Sequence, residues 1–103
     1  MADFANPFSG NEPRKITKEE LIQAIRINIA AEMEAAFLYD AHSRATDIPL
    51  AKEVLADIRD EEMVHAGELL ELLKQLDPEA AKHFEEGAGE VREEMEKLKK
   101  KKK

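Results

Sequence analysis

Two long stretches, one without any interior Pro or Gly and one interrupted only by Gly67, constrain this sequence most. Proline and glycine occur only at positions 7, 10, 13, 49, 67, 78, 87 and 89. Thr17 and Glu20 form a capping box before the first stretch, and Pro49 suits the first turn of the second, with Asp47 as its candidate cap. No apolar alternation with a period of two competes with the helical spacing. The sequence therefore predicts an all-α protein with helices at 18–44 and about 49–76.

The two ends of the chain are less regular than its middle. Residues 1–16 contain two prolines and one glycine and are predicted to form an irregular arm. Asp77 and Pro78 begin a short third helix that ends before Gly87, so the helical unit spans 17–86. Residues 87–103 are predicted to form a polar helix and a Lys-rich tail or linker. Two antiparallel helices cannot bury their apolar stripes alone, so the hairpin is expected to dimerise into a four-helix bundle.

Length and charge exclude several classes of protein. A chain of 103 residues supports one small domain with a marginal core. The absence of Cys excludes disulfides and thiolate metal sites, and no apolar run is long enough to span a membrane. Six of the 16 basic residues lie at 97–103, which leaves residues 1–96 with a net charge of −13. This acidic body argues against nucleic-acid binding, and a reducing cytoplasm is the simplest compartment.

Three polar residues interrupt the apolar stripes of the two long helices. The stripe of the first helix comprises Ile22, Ile25, Ile29, Ala36 and Tyr39, and its remaining position is Glu32. The stripe of the second helix comprises Ala51, Leu55, Ile58, Leu69, Leu72, Leu73 and Leu76, with Glu62 and His65 in its middle. A carboxylate on a buried face must take up a proton or bind a cation. The pattern therefore favours a metal site over a purely apolar interface.

The spacing of these residues predicts where the metal site lies. Glu32 and Glu62 are nearly equidistant from the predicted turn, so antiparallel helices bring them level, with His65 one turn further on. Carboxylate and imidazole ligands suit iron or manganese and also accept zinc. Di-iron carboxylate bundles use one Glu from each of two helices and Glu-x-x-His from each of the other two. This chain has half of that set, and a two-fold dimer would supply the other half. Chance occurrence of Glu-x-x-His on an acidic helix is the alternative.

Two segments carry a resemblance to a known family. They are AEMEAAFLYD at 31–40 and RDEEMVHA at 59–66. At these residues, and over about 25–76 as a whole, the sequence resembles the encapsulated ferritins, small ferritin-like cargo proteins of encapsulin nanocompartments. The resemblance departs at two positions: the family commonly has a second acidic residue where this chain has Ala31, and often Trp where this chain has Leu38.

The resemblance implies a function and an assembly. Family members are ferroxidases that oxidise Fe(II) with dioxygen at a di-iron centre between two subunits. Five dimers form a ring-shaped decamer inside an encapsulin shell in the cytoplasm, and the shell stores the iron. By position, Glu32, Glu62 and His65 would be the iron ligands. Glu34 would belong to a second metal position on the route to the centre, and Tyr39 would lie beside the centre and assist catalysis.

Two other functions compete with this expectation. A non-catalytic helical oligomerisation module would use the same residues to hold a structural metal, including divalent metals other than iron. A peroxide-reducing relative of rubrerythrin is less favoured, because the chain has no Cys for a rubredoxin-like iron site. For the ferroxidase the expected partners are further copies of the chain and the encapsulin shell protein, with no nucleic acid and no membrane.

Overall fold

A computed structural model describes residues 13–101 of the chain. This part consists of three helices and no strand: α1 (Lys18–Arg44), α2 (Pro49–Leu76) and α3 (Pro78–Lys101). The all-α prediction and the predicted bounds of the first two helices are confirmed. The predicted irregular arm lies mostly outside the described residues, as do the last two lysines of the tail. Among the described helices, none combines the length and apolar character that crossing a membrane requires.

The start of α1 is held by the capping box that the sequence predicted. The Glu20 backbone N–H donates to Thr17 Oγ1 at 3.1 Å, and the Thr17 backbone N–H donates to Glu20 Oε1 at 2.8 Å. Arg14 donates to both oxygens of the same carboxylate, at 2.8 and 2.7 Å. These hydrogen bonds, above all those from Arg14, lower the pKa of Glu20 to about 2. Three residues thus stabilise the first turn of α1.

The turn between α1 and α2 uses other contacts than the sequence predicted. Asp47 is not the cap of α2: Ile48 occupies that position without a side-chain hydrogen bond, and its N–H donates to Thr46 Oγ1 at 3.2 Å. Instead, the two helices are joined by the buried Ser43, whose Oγ donates to the Lys52 carbonyl at 2.7 Å. Lys52 Nζ donates back to the Ser43 carbonyl at 3.0 Å. This reciprocal pair closes the hairpin, and α1 and α2 pack along its length.

The third helix is much longer than the sequence predicted. The expected end before Gly87 is wrong, because α3 continues as one helix to Lys101. Gly87 and Gly89 keep negative φ angles, so the glycines lower helix propensity by roughly 1 kcal/mol each without ending the helix. The predicted start is confirmed, since the Ala80 N–H donates to Asp77 Oδ1 at 3.2 Å. The lysines of the last turn also stabilise the helix C-terminus through its dipole.

The buried core lies at the end of the hairpin away from the turn. Ile25 of α1, Leu73 of α2 and Ala80 of α3 form it, with partly buried neighbours Ile22, Ile29, Leu69, Leu70 and Leu76. Leu72, which the sequence placed on the buried stripe beside Leu73, is exposed. The hairpin also exposes many large apolar side chains: Met33, Phe37, Leu38, Val54, Met63 and Val64. One chain therefore completes its core at one end only.

Candidate metal centre

The structure brings together the three polar residues that interrupt the apolar stripes. Glu32 lies on α1, and Glu62 and His65 lie one turn apart on α2. One ligand atom from each residue lies within 4.8 Å of the other two. His65 Nδ1 is 3.7 Å from Glu32 Oε2 and 3.8 Å from Glu62 Oε1. Antiparallel packing thus places two carboxylates and an imidazole around one point, as the counting of residues from the turn predicted.

The two carboxylates of this cluster need a cation or a proton between them. Glu32 Oε2 is buried and has no hydrogen-bond partner. The pKa of Glu62 is raised above its ordinary value, chiefly because a hydrogen bond with Glu32 favours the protonated form; burial and the negative charge of Glu32 act in the same direction. The positive charge of protonated His65 opposes this shift. A bound metal ion would satisfy the unpartnered oxygen and remove the carboxylate repulsion, so the donor set fits a divalent transition metal.

The cluster lies between α1 and α2 and is open to solvent on the side of His65. The His65 side chain is 50% exposed, and those of Glu32 and Glu62 are 26% and 20% exposed. Three donors from one chain do not complete even a four-coordinate metal site. The open side is therefore where further ligands, from water or from another chain, have access.

Glu34 lies near the three clustered residues but is not one of them. It is half-buried and lines a shallow depression of about 220 Å³ together with Glu32 and Glu62; the remaining lining residues are Ala31, Ala35 and Leu38. The depression therefore has three carboxylates on its wall. Alanine at position 31 adds no further carboxylate to this wall.

Tyr39 is also outside the cluster. It follows Glu32 by one heptad on α1 and is half-buried. Its hydroxyl makes no hydrogen bond within residues 13–101. The side chain therefore retains a free polar group near the face that carries the ligands.

A charged contact that the sequence analysis missed ties α1 to α2 beside the cluster. Arg59 Nη1 donates to Asp40 Oδ1 at 2.8 Å, and Arg59 Nε donates to Asp60 Oδ1 at 2.9 Å. Arg44 forms a second ion pair with Asp40 at 2.6 Å. The hydrogen bond from Arg59 lowers the pKa of Asp40. The opposite charge of positions 40 and 59 was the available signal, but counting from the turn would not have paired them, because Asp40 lies about 6–7 residues before the turn centre and Arg59 about 12–13 after it.

Known proteins similar to this chain come from encapsulin systems. No protein-family model matches the chain. An encapsulin nanocompartment cargo protein of Myxococcus xanthus is 47% identical over 87 residues, which cover 84% of this chain and 67% of the relative. A ferritin-like–encapsulin shell fusion protein of Pyrococcus furiosus is 38% identical over 88 residues, 85% of this chain and 26% of the fusion. An encapsulated ferritin-like protein of Rhodospirillum rubrum is 36% identical over 86 residues, 82% of this chain and 60% of the relative.

A solved structure shares the fold over most of both chains. It is the crystal structure of the encapsulated ferritin domain from Pyrococcus furiosus, with a TM-score of 0.78 and 38% sequence identity. The match covers 85% of this chain and 90% of that domain. The sequence match and the structural match cover nearly the same share of this chain. The chain therefore belongs to the encapsulated ferritin-like family.

Proposed function

We propose that this protein is a ferroxidase that oxidises Fe(II) to Fe(III) with dioxygen at the cluster of Glu32, Glu62 and His65. The observation that carries the proposal is the buried, unpartnered Glu32 Oε2 beside a second carboxylate and an imidazole. Oxygen and nitrogen donors without thiolates suit iron. The cargo and shell-fusion names of the relatives support a role in iron storage inside an encapsulin nanocompartment.

The role of the protein in this reaction is to bind Fe(II) and to keep it accessible to dioxygen. Two Fe(II) ions each lose one electron, and dioxygen accepts both. The two carboxylates compensate the positive charge of the iron, and the imidazole binds as a neutral ligand. The acidic body, with a net charge of −13 over residues 1–96, attracts the cation electrostatically.

A complete centre for two iron ions requires a second chain. One chain contributes two Glu and one His, which is half of the ligand set of a di-iron carboxylate bundle. A two-fold related copy would bring the second half to the open side of the cluster, where His65 is half-exposed. The exposed apolar side chains of α1 and α2, including Leu38 and Val64, would be buried by the same contact. By analogy with the family, five such dimers would form a decamer.

Glu34 and Tyr39 have supporting roles in the proposed reaction. Glu34 shares a depression with two of the ligands, so its carboxylate can bind Fe(II) on the way to the centre. Tyr39 has a hydroxyl without a hydrogen bond within residues 13–101 and lies one heptad from Glu32, which supports a role for this hydroxyl in bonding a ligand of the assembled centre. We expect the loss of either side chain to slow oxidation less than the loss of Glu32.

Aerobic Fe(II) oxidation, followed by near-UV absorbance, tests the proposal. We expect Glu32→Ala, Glu62→Ala and His65→Ala each to slow oxidation at least about tenfold, because each removes a ligand from a shared centre. Glu68→Ala is the matched control: it removes an exposed carboxylate from the same helix and outside the cluster. Undiminished rates in all three ligand variants would contradict the proposal.

A non-catalytic oligomerisation module with a structural metal is the second candidate. The exposed apolar faces and the solvent-open cluster of donors are also what a metal-linked oligomer requires. Native mass spectrometry with Zn(II) and with Fe(II), read beside the oxidation assay, separates the two functions. Tight zinc binding that assembles the protein, without any turnover of Fe(II), would favour the structural role.

A further inference from the structure

Two sets of contacts hold α1 against α2 on either side of the metal cluster, and both lie well away from it. Towards the turn, Ser43 and Lys52 exchange hydrogen bonds of 2.7 and 3.0 Å. Lys52 precedes Glu62 by about 15 Å of helix, at 1.5 Å per residue. Towards the other end, the buried Leu73 follows Glu62 by about 16 Å of helix. The placement of the two helices at the cluster itself therefore needs a nearer contact.

The buried side chains next to the cluster are too small to provide that contact by packing. They are Ala36, one turn after Glu32 on α1, and Ala66, one turn after Glu62 on α2. An alanine methyl group makes few van der Waals contacts and does not interdigitate as a leucine or isoleucine side chain does. Apolar packing at this level therefore lets the helices approach closely, but it does little to fix the rotation of α2 about its own axis.

Arg59 connects this level of α2 to α1. It lies one turn before Glu62 on the same face of the helix, so both side chains move together when α2 rotates. Arg59 Nη1 donates to Asp40 Oδ1 on α1 at 2.8 Å, and Nε donates to Asp60 Oδ1 on α2 at 2.9 Å. The planar guanidinium holds the two carboxylates in a fixed relative orientation, which a flexible ammonium group does not. The orientation of Glu62 is thereby linked to α1.

We propose that Arg59 is a positioning residue for the metal cluster: its hydrogen bond to Asp40 fixes α2 in the rotation that turns its two ligands towards Glu32. Within residues 13–101, no hydrogen bond or ion pair joins Arg59 to a ligand of the cluster. Its effect therefore passes through the placement of the helix. This inference rests on the proposed metal site and adds a residue that makes no contact with the metal.

Charge alone predicts the opposite effect of losing Arg59. A guanidinium near a cation site repels the cation, so its removal would strengthen metal binding if electrostatics alone decided the affinity. The carboxylates of Asp40 and Asp60, left without this partner, would act in the same direction. Positioning instead predicts weaker binding, because the two ligands of α2 are no longer held towards Glu32. The sign of the change in metal affinity therefore separates the two roles.

Titration of the intact chain with Co(II), followed by calorimetry and by the visible spectrum of the bound ion, measures that sign. We expect Arg59→Gln to weaken Co(II) binding at least about threefold and to change the spectrum, because contacts that orient the ligands tune a metal site. Arg59→Lys keeps the charge but loses the two-pronged contact, so it should also weaken binding. Arg44→Gln is the matched control: it removes the same charge from the same partner, Asp40, within α1, and should change neither affinity nor spectrum.

A double-mutant cycle on Co(II) affinity tests whether the effect passes through Asp40. In an Asp40→Ala background, Arg59→Gln should weaken binding no further, because the contact between the helices is already lost. Urea denaturation of the metal-free variants checks that they fold. Unchanged or tighter Co(II) binding by folded Arg59→Gln or Arg59→Lys would overturn the proposal, as would equal weakening by Arg44→Gln.

Fe(II) oxidation by the same samples distinguishes this inference from the proposed function. If the wild-type chain binds Co(II) and the variants follow the predicted order of affinities, but no sample oxidises Fe(II), the ferroxidase proposal fails and the positioning role is supported. If oxidation proceeds while Arg59→Gln binds Co(II) as tightly as the wild-type chain, the ferroxidase proposal stands and the positioning role is overturned.

Discussion

Two levels of the same hairpin differ in how completely one chain buries them. At the apolar level, Ile25 and Leu73 are each 2% exposed and Ala80 of α3 covers them. At the polar level, one heptad along α1 from Ile25, the Glu32 side chain is 26% exposed and its Oε2 has no partner. Both levels lie on the contact face of α1 and α2. The apolar level is complete within one chain, and the polar level is incomplete.

The difference arises from α3. Its first turns reach the apolar level and close it, while no residue of α3 belongs to the polar cluster. The residues that stabilise the chain and the residues of the proposed metal centre thus lie at different heights of one helix pair. Stability of the single chain comes from the apolar level, and we propose that the polar level gains its full set of contacts from metal or from a second chain.

The largest expected effect comes from breaking the apolar level. Leu73→Ala is expected to lower the free energy of unfolding of the metal-free protein by about 2–5 kcal/mol, because it leaves a cavity in the small core. Glu32→Leu is the counterpart at the polar level and should cause no loss, or a gain of up to about 1 kcal/mol, because it removes an unpartnered buried oxygen. Urea denaturation measures both. Equal destabilisation by the two changes would show that the levels do not differ.

A smaller effect is expected from the ion pair that ties the helices beside the polar level. Arg59 and Asp40 are each about one-third exposed, at 33% and 30%, so solvent screens their interaction. A double-mutant cycle with Arg59→Gln and Asp40→Asn should give a coupling free energy of about 0.5–1 kcal/mol. The same cycle with Arg44→Gln is the control, because Arg44 contacts Asp40 from the same helix and does not cross between helices. Metal affinity should fall with Arg59→Gln and remain unchanged with Arg44→Gln.

The smallest expected effect is a pH dependence confined to the polar level. The pKa of Glu62 is raised above its ordinary value of 4.5 by Glu32 and by burial. The folded metal-free chain therefore binds more protons than the unfolded chain, so this contribution to stability is complete below pH 4.5 and disappears as the pH rises through the raised pKa. Thermal unfolding between pH 4.5 and 7 should show a slope that Glu62→Gln abolishes. A slope of the opposite sign would mean that the two carboxylates do not share a proton.

Local residue chemistry explains which parts of the fold could be predicted from the sequence. The bounds of α1 and α2 follow from Thr17, Pro49 and Asp77, which act on backbone groups within one turn. The failures share one cause. Gly87 was expected to end a helix that instead continues, and Asp47 was expected to cap a helix that begins without a side-chain cap. Local preferences of about 1 kcal/mol are weak enough for the surrounding helix to override.

By itself the sequence determined the two helices α1 and α2, the acidic body and the residues that could bind a metal. Equal distances from the turn placed Glu32 level with Glu62, because the helical rise per residue is constant. Only the tertiary structure decided which oxygen is left without a partner, which apolar level is closed, and that the second half of α3 leaves the hairpin. Those outcomes depend on the distances between side chains on different helices, and helical periodicity along one helix carries no information about them.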